Sequence, residues 1–135
     1  MPNNAVVNFL ESRVDLRRDG PSSFVIPDLS SATPARPGVI VWDPGSAGLL
    51  GGLVAQDASS DHGGERHLEG DELIVVISGT LTVVLLHDDE SVSQRIALVE
   101  DEATLIPQMV WHRIETTGVC RYIFFGGGRT EIKRG

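Results

Sequence analysis

The chain alternates between short apolar runs and polar or glycine-rich breaks. The apolar stretches, rich in Val, Ile, Leu and Thr, are Val39–Trp42, Leu49–Gln56, Glu72–Ser78, Thr80–His87, Ser93–Val99, Ala103–Ile106, Trp111–Glu115 and Val119–Phe125. Each predicts a β-strand. Their recurrence every eight to twelve residues, with turn residues between, predicts an all-β sandwich or barrel. Ser78-Gly79 predicts a hairpin turn between Leu73–Ile77 and Leu81–Leu86, and Asp88-Asp89-Glu90-Ser91 predicts a polar turn into the next strand. No long stretch sustains a helical period. Near the N-terminus Val6, Phe9 and Leu10 fit a short helix while Val14 and Leu16 alternate as in a strand, so the pattern there leaves both open.

Two segments read as loops. Pro27–Gly38 holds Pro27, Pro34 and Pro37 among small polar residues, and Ala58–Gly64 leads into a polar cluster. The expected organisation is an N-terminal arm and linker over residues 1–37, a barrel over 38–126 and a C-terminal tail over 127–135, loosely held beyond Gly126-Gly127-Gly128.

Composition narrows the function classes. The 135 residues amount to one domain, large enough to fold without a disulfide or structural metal. Eleven Lys plus Arg against nineteen Asp plus Glu leave a net charge of −8, which disfavours nucleic acid and anionic membrane as partners. The longest aliphatic run, Leu73–Ile77, is far too short to span a bilayer, and no basic-then-apolar leader opens the chain. Cys120 is alone, so no internal disulfide forms and a cytoplasmic location is expected. There is no Gly-x-Gly-x-x-Gly between a strand and a helix, no Gly-x-Ser-x-Gly elbow, and no cysteine pair for structural zinc.

The chemistry concentrates in Glu65-Arg66-His67-Leu68-Glu69-Gly70-Asp71-Glu72. Glu65 and His67 are two apart, so on a strand they share a face. Glu72 opens an apolar strand, where a carboxylate is costly to bury without a cation or several donors. If Glu72 points inward, Ile74 and Val76 do too, and the opposite set Leu73, Val75 and Ile77 needs cover from a second layer or subunit. Far along the chain, Pro107-Gln108-Met109-Val110 makes a turn into Trp111-His112. Histidines and carboxylates converging inside a barrel are the ingredients of a divalent metal site. Plainer readings stand beside this one. Glu65 could pair with Arg66 or Arg113, Glu72 could be a solvent-facing strand end, and His112 could be an ordinary half-buried histidine. His62 reads as an exposed loop residue, His87 as part of the acidic turn, Cys120 as a small buried hydrophobe, and Trp42 and Trp111 as core or rim aromatics.

These segments resemble the two motifs of the cupin family. In the first motif, Gly-x5-His-x-His-x3–4-Glu-x6-Gly, His67, Glu72 and Gly79 match in register, while Ser59 stands for the opening Gly and Glu65 for the first His. In the second, Gly-x5-Pro-x-Gly-x2-His-x3-Asn, Pro107 and His112 match, while Asp101, Met109 and Thr116 replace Gly, Gly and Asn. The resemblance spans residues 38 to 126 and implies a double-stranded β-helix, a jelly-roll barrel, with dimerisation in which the N-terminal arm exchanges between subunits. Carried over by position, it implies that Glu65, His67, Glu72 and His112 hold a divalent metal ion (Fe, Mn, Ni or Zn).

Two histidines and two carboxylates leave such a site near neutral, where three histidines and one carboxylate leave it at about +1, so the ion would be a weaker Lewis acid. Harder oxygen ligands favour Mn(II) or Fe(II), and two histidines with a single carboxylate and open positions suit Fe(II) and oxygen. Two functions follow. One is a metal-dependent enzyme of oxygenase, isomerase or lyase type on a small organic molecule. The other is a non-catalytic, metal-free cupin that binds a small molecule.

Overall fold

The structure is a computed structural model and describes residues 6–45 and 48–134. Thirteen strands form it: β1 (Arg13–Leu16), β2 (Ser23–Val25), β3 (Thr33–Arg36), β4 (Val39–Trp42), β5 (Leu49–Gln56), β6 (Gly64–His67), β7 (Glu72–Ser78), β8 (Leu81–Leu86), β9 (Val92–Leu98), β10 (Ala103–Ile106), β11 (Trp111–Glu115), β12 (Cys120–Gly126) and β13 (Thr130–Lys133). A 3-10 turn, Leu29–Ser31, is capped by Asp28, whose side chain accepts from the Ser30 amide. The all-β expectation holds. The strands build two antiparallel sheets, one of six in the order β10-β7-β12-β5-β1-β2 and one of seven in the order β3-β4-β13-β6-β11-β8-β9. Face to face, they make the jelly roll.

Alternation decides which residues lie between the sheets. On β7, Glu72, Ile74 and Val76 point inward and are buried, as the pattern of that strand requires. Ile74 and Val76 meet Leu81, Val83, Leu85, Ile106, Ile114, Cys120 and Tyr122 in the main core. Cys120 is fully buried there as a small hydrophobe. Each aliphatic side chain so buried contributes about 1.5–3 kcal/mol. Ile74, Ile114 and Tyr122 also line an open cavity, so the apolar core passes directly into it.

The outward residues divide differently on the two sheets. On the seven-stranded sheet, Val39, Val84, Leu86 and Trp111 form a second small core. Arg66 and Lys133 lie over the Trp111 ring, 4.6 and 4.5 Å from its centroid, and their stems cover it. On the six-stranded sheet, one row of opposed residues runs across every strand: Leu105, Leu73, Phe125, Gly51, Val14 and Phe24. Leu105 and Phe24 are exposed and Leu73, Val14 and Phe125 half-buried, so this outer face remains largely apolar.

Three expectations are corrected. Ser78-Gly79 is not a hairpin turn, because β7 pairs with β10 and β12 while β8 pairs with β9 and β11 in the other sheet. The turn instead carries the chain between layers. Gly79 takes φ +77°, and a Cβ there would run into the Val119 carbonyl, so no side chain fits. Asp88–Ser91 does join a hairpin, β8 to β9. The residues after Gly128 are not loose, because β13 lies inside its sheet between β4 and β6. The segment before residue 38 is not merely an arm: β1 and β2 extend the six-stranded sheet and β3 edges the other. Asn8, Phe9, Leu10 and Glu11 form a turn and not a helix.

Candidate metal centre

Register brings the four motif residues together. His112 on β11 lies directly opposite Glu65 on β6, and His67 follows two residues later on the same face. Glu72 enters from β7 in the facing sheet. One ligand atom from each of Glu65, His67, Glu72 and His112 lies within 4.8 Å of all the others. Glu72 Oε1 is 3.2 Å from His67 Nε2 and 3.3 Å from His112 Nε2. Glu65 Oε1 is 3.4 Å from His112 Nε2 and 4.0 Å from His67 Nε2. The plainer readings fail here. Arg66 pairs with Glu131 and Arg113 with Glu115, so neither neutralises Glu65, and Glu72 and His112 are buried.

The far side of each imidazole is anchored. His112 Nδ1 lies 3.0 Å from the Val110 carbonyl, which only accepts, so Nδ1 carries the proton. His67 Nδ1 lies 2.9 Å from the Thr130 hydroxyl, whose own proton goes to the Gly128 carbonyl, so that Nδ1 is also the donor. Both Nε2 atoms then face inward. They are buried and have no aligned hydrogen-bond partner, although carboxylate oxygens stand close by. In neutral imidazoles these are lone pairs aimed at negatively charged oxygens. Only a cation between them, or a proton on Nε2, makes that arrangement favourable. The donor set therefore fits a divalent ion: two imidazole nitrogens with anchored outer atoms and two carboxylates.

Without an ion the site binds protons. Burial alone would lower the His112 pKa, but Glu65 and then Glu72 outweigh it and raise it to about 10. Burial would likewise lower His67, which Glu72 and then Glu65 raise. Burial would raise Glu72, yet His112 and His67 bring it down to about 2. Glu65 follows the same logic, lowered mainly by His112. The sign fixes a stability window for metal-free protein. The His112 contribution is complete below its ordinary 6.5 and is lost as pH rises through about 10. The Glu72 contribution is complete above its ordinary 4.5 and is lost as pH falls toward about 2. Urea midpoints of EDTA-treated protein are therefore expected to be highest between about pH 4.5 and 6.5 and to fall on both sides. A flat profile to pH 10 would show that His112 is not held as an imidazolium.

The substitutions within the motifs keep its geometry. Asp101 and Met109, which stand for the two glycines of the second motif, adopt φ +72° and +67°, the left-handed conformation a glycine supplies freely. Both are held by backbone hydrogen bonds: the Met109 amide donates to the His67 carbonyl and the Asp101 amide to the Val76 carbonyl, each at 2.9 Å. Ser59 and Thr116, two further departures, bond to each other, with the Thr116 amide donating to Ser59 Oγ at 3.0 Å.

The cluster opens into a cavity of about 840 Å³ lined by apolar side chains including Leu50, Val54, Ile74 and Phe124. Among the four cluster residues Glu65 has the most exposed side chain, at 29%. Three lining residues had no sequence signal of a site role. Tyr122 donates its hydroxyl to Gln56 Oε1 at 2.8 Å, and burial followed by the charges of Glu65 and Glu72 pushes its pKa well up. His62, expected to be exposed, is half-buried at the rim and accepts the Gly64 amide on Nδ1. Arg13 reaches in from β1.

No protein-family model matches the sequence, and no curated protein matches it. Solved structures do: 176 chains resemble this one. A cupin-2 domain-containing protein from Shewanella frigidimarina NCIMB 400 is 23% identical with a TM-score of 0.50, over 58% of this chain and 70% of its own. A structure from work on the DMSP lyases RdDddP and RnDddQII is 18% identical with a TM-score of 0.50, over 67% of this chain and 47% of its own, so this chain spans under half the length of that relative. The chain has the cupin fold.

Proposed function

We propose that this protein is a metal-dependent enzyme of the cupin fold, holding one divalent ion on Glu65, His67, Glu72 and His112 and acting on a small organic molecule in the cavity. The observation that carries this reading is the pair of buried, inward Nε2 atoms without aligned partners beside two carboxylates. When bound, such an ion supplies polarisation of a ligand oxygen, which suits isomerase, lyase or oxygenase chemistry. The other roles belong to the chain. Leu50, Val54, Ile74 and Phe124 keep water from the ligand. Glu65, the most exposed of the four, is the carboxylate placed to take or return a proton when it is not a ligand. Tyr122, held protonated, offers a hydrogen-bonding oxygen on the facing wall. The lyase named among the structural neighbours supports the view that this fold accommodates such chemistry.

Untagged protein, stripped with EDTA and dialysed against Mn(II), Fe(II), Ni(II) or Zn(II) at pH 7, is expected to retain close to one ion per chain. Its thermal midpoint should rise with ion concentration, and at a thousand times Kd the stabilisation is about 4 kcal/mol. Uptake should weaken as pH falls, because protons on His67 and His112 compete with the ion. Protein that takes up no ion would instead be a metal-free binder of small molecules, its carboxylates neutralised by the two imidazolium groups.

A further inference from the structure

Arg13 is a cation placed in a largely apolar cavity with almost nothing to bind among the described residues. Two guanidinium groups line the cavity, Arg13 and Arg113. The Arg113 guanidinium is turned onto Glu115 at 3.2 Å. Arg13 makes no ion pair among the described residues; its one hydrogen bond is from Nη1 to the Ser12 carbonyl at 3.0 Å. It is half-buried, and desolvation lowers its pKa. A charge moved partly out of water without a counter-ion is costly, and among the described residues the remaining four N–H donors of the fork have no acceptor.

The surroundings hold the side chain where it is. Its stem crosses β5 over Gly52, where an added Cβ would stand 2.5 Å from Arg13 Cδ and 3.0 Å from its Nε and Nη1. Only glycine leaves that lane open. The guanidinium lies 5.1 Å from the centroid of the Phe124 ring, another lining residue, which fixes its plane. Asp15, the nearest carboxylate in sequence on the same face, is engaged by Arg17 and the Gly48 amide. Arg13 also lies close enough to Tyr122 to affect its charge state, and Tyr122 in turn feels Glu65 and Glu72. The guanidinium and the Glu–His cluster therefore serve one cavity.

We propose that Arg13 is the anion-binding residue of this cavity and that its ligand is a small organic carboxylate, whose acid group docks on the guanidinium while its carbon skeleton lies against Val54, Ile74 and Phe124. This deepens the reading of the cavity as a small-molecule site. A planar carboxylate matches the guanidinium fork with two parallel hydrogen bonds. One guanidinium with no carboxylate partner among the described residues balances one negative charge, which favours a monocarboxylate over a phosphate ester carrying two.

The test uses the 135-residue chain loaded with its divalent ion and three matched pairs: benzoate and benzamide, cyclohexanecarboxylate and its amide, hexanoate and hexanamide. Phenyl phosphate is the fourth probe acid. Binding is followed by calorimetry and by the Arg Nε–Hε resonances in nitrogen-labelled protein. At least one acid is expected to bind about tenfold or more tightly than its amide and to shift the Arg13 Nε–Hε signal. Arg13→Met is expected to bring that preference close to one, with the metal content unchanged, and Arg13→Lys to keep part of it. The proposal is overturned if no acid outbinds its amide, if phenyl phosphate outbinds every carboxylate, or if the preference survives in Arg13→Met, which would assign the acid to the ion. Should Arg13→Met not fold, undiminished preference in Arg13→Lys together with an unmoved Arg13 resonance in the parent protein overturns it equally. Failure of the metal reading is seen separately, as parent protein without bound ion.

Discussion

Protein carrying His112→Ala is expected to lose the bound ion, with metal affinity down more than a hundredfold. His112 offers a ligand atom from the most enclosed side chain of the cluster, 2% exposed, and its ring is fixed by the Val110 carbonyl. Losing an outer partner of a metal ligand costs about 10–100-fold, so losing the ligand itself should cost more. The same change acts on the metal-free state. It removes a positive partner that Glu72 and Glu65 both use, at 3.3 and 3.4 Å, and leaves two carboxylates with His67 alone. Breaking a buried charge pair by removing one partner costs about 3–5 kcal/mol. Two measurements separate the effects: the metal-free thermal midpoint reads the second, and its rise on adding ion reads the first. In the variant the midpoint should start lower and barely respond to ion. An unchanged ion-to-chain ratio in folded His112→Ala protein would remove His112 from the ligand set.

Glu65→His is expected to act in the opposite direction. Glu65 lies across from His112 in the ladder between β6 and β11 and shares a face with His67, so an imidazole there points into the same space. Three histidines and one carboxylate raise the charge of a divalent site from about zero to about +1 and replace a hard oxygen with a borderline nitrogen. Ni(II) and Zn(II) should therefore bind at least about tenfold more tightly, and Mn(II) should gain nothing, so the ratio between them changes most. Competition titrations of both ions against one chromophoric chelator provide the check. Equal affinities in parent and variant would place Glu65 outside the coordination sphere and leave it as an acid–base group.

Much of this site could be read in the chain because strand alternation and motif spacing are local properties. β4, β5, β7, β10 and β11 have the bounds their apolar runs predict. Glu65, His67, Glu72 and His112 converge because register, once set by the apolar faces, leaves them no other side to occupy. What stayed hidden depends on distant partners. β13 reads Thr-Glu-Ile-Lys after three glycines and Arg129, a polar stretch by any local measure. Its Glu131 is buried only because Arg36 and Arg66, from other strands, lie at 2.8 and 2.7 Å. Likewise, Ser78-Gly79 has hairpin residues, but the choice between a hairpin and a crossing to the other layer is made by β12, whose start packs against Gly79. Arg13 is one of eleven basic residues, and nothing in its neighbours singles it out. The trace it left is Gly52 in the middle of a strand, where a missing side chain signals a close approach.

The position of β13 has a consequence for biosynthesis. It follows the other twelve described strands in chain order yet fills the gap between β4 and β6, and it brings Thr130 to the His67 ring. Until it emerges from the ribosome, two bare strand edges stand exposed and one imidazole lacks its anchor. The nascent chain can assemble most of its walls early, but the Glu–His cluster gains its last support only once β13 has been made, and in that interval the open edges are the points most exposed to wrong pairing.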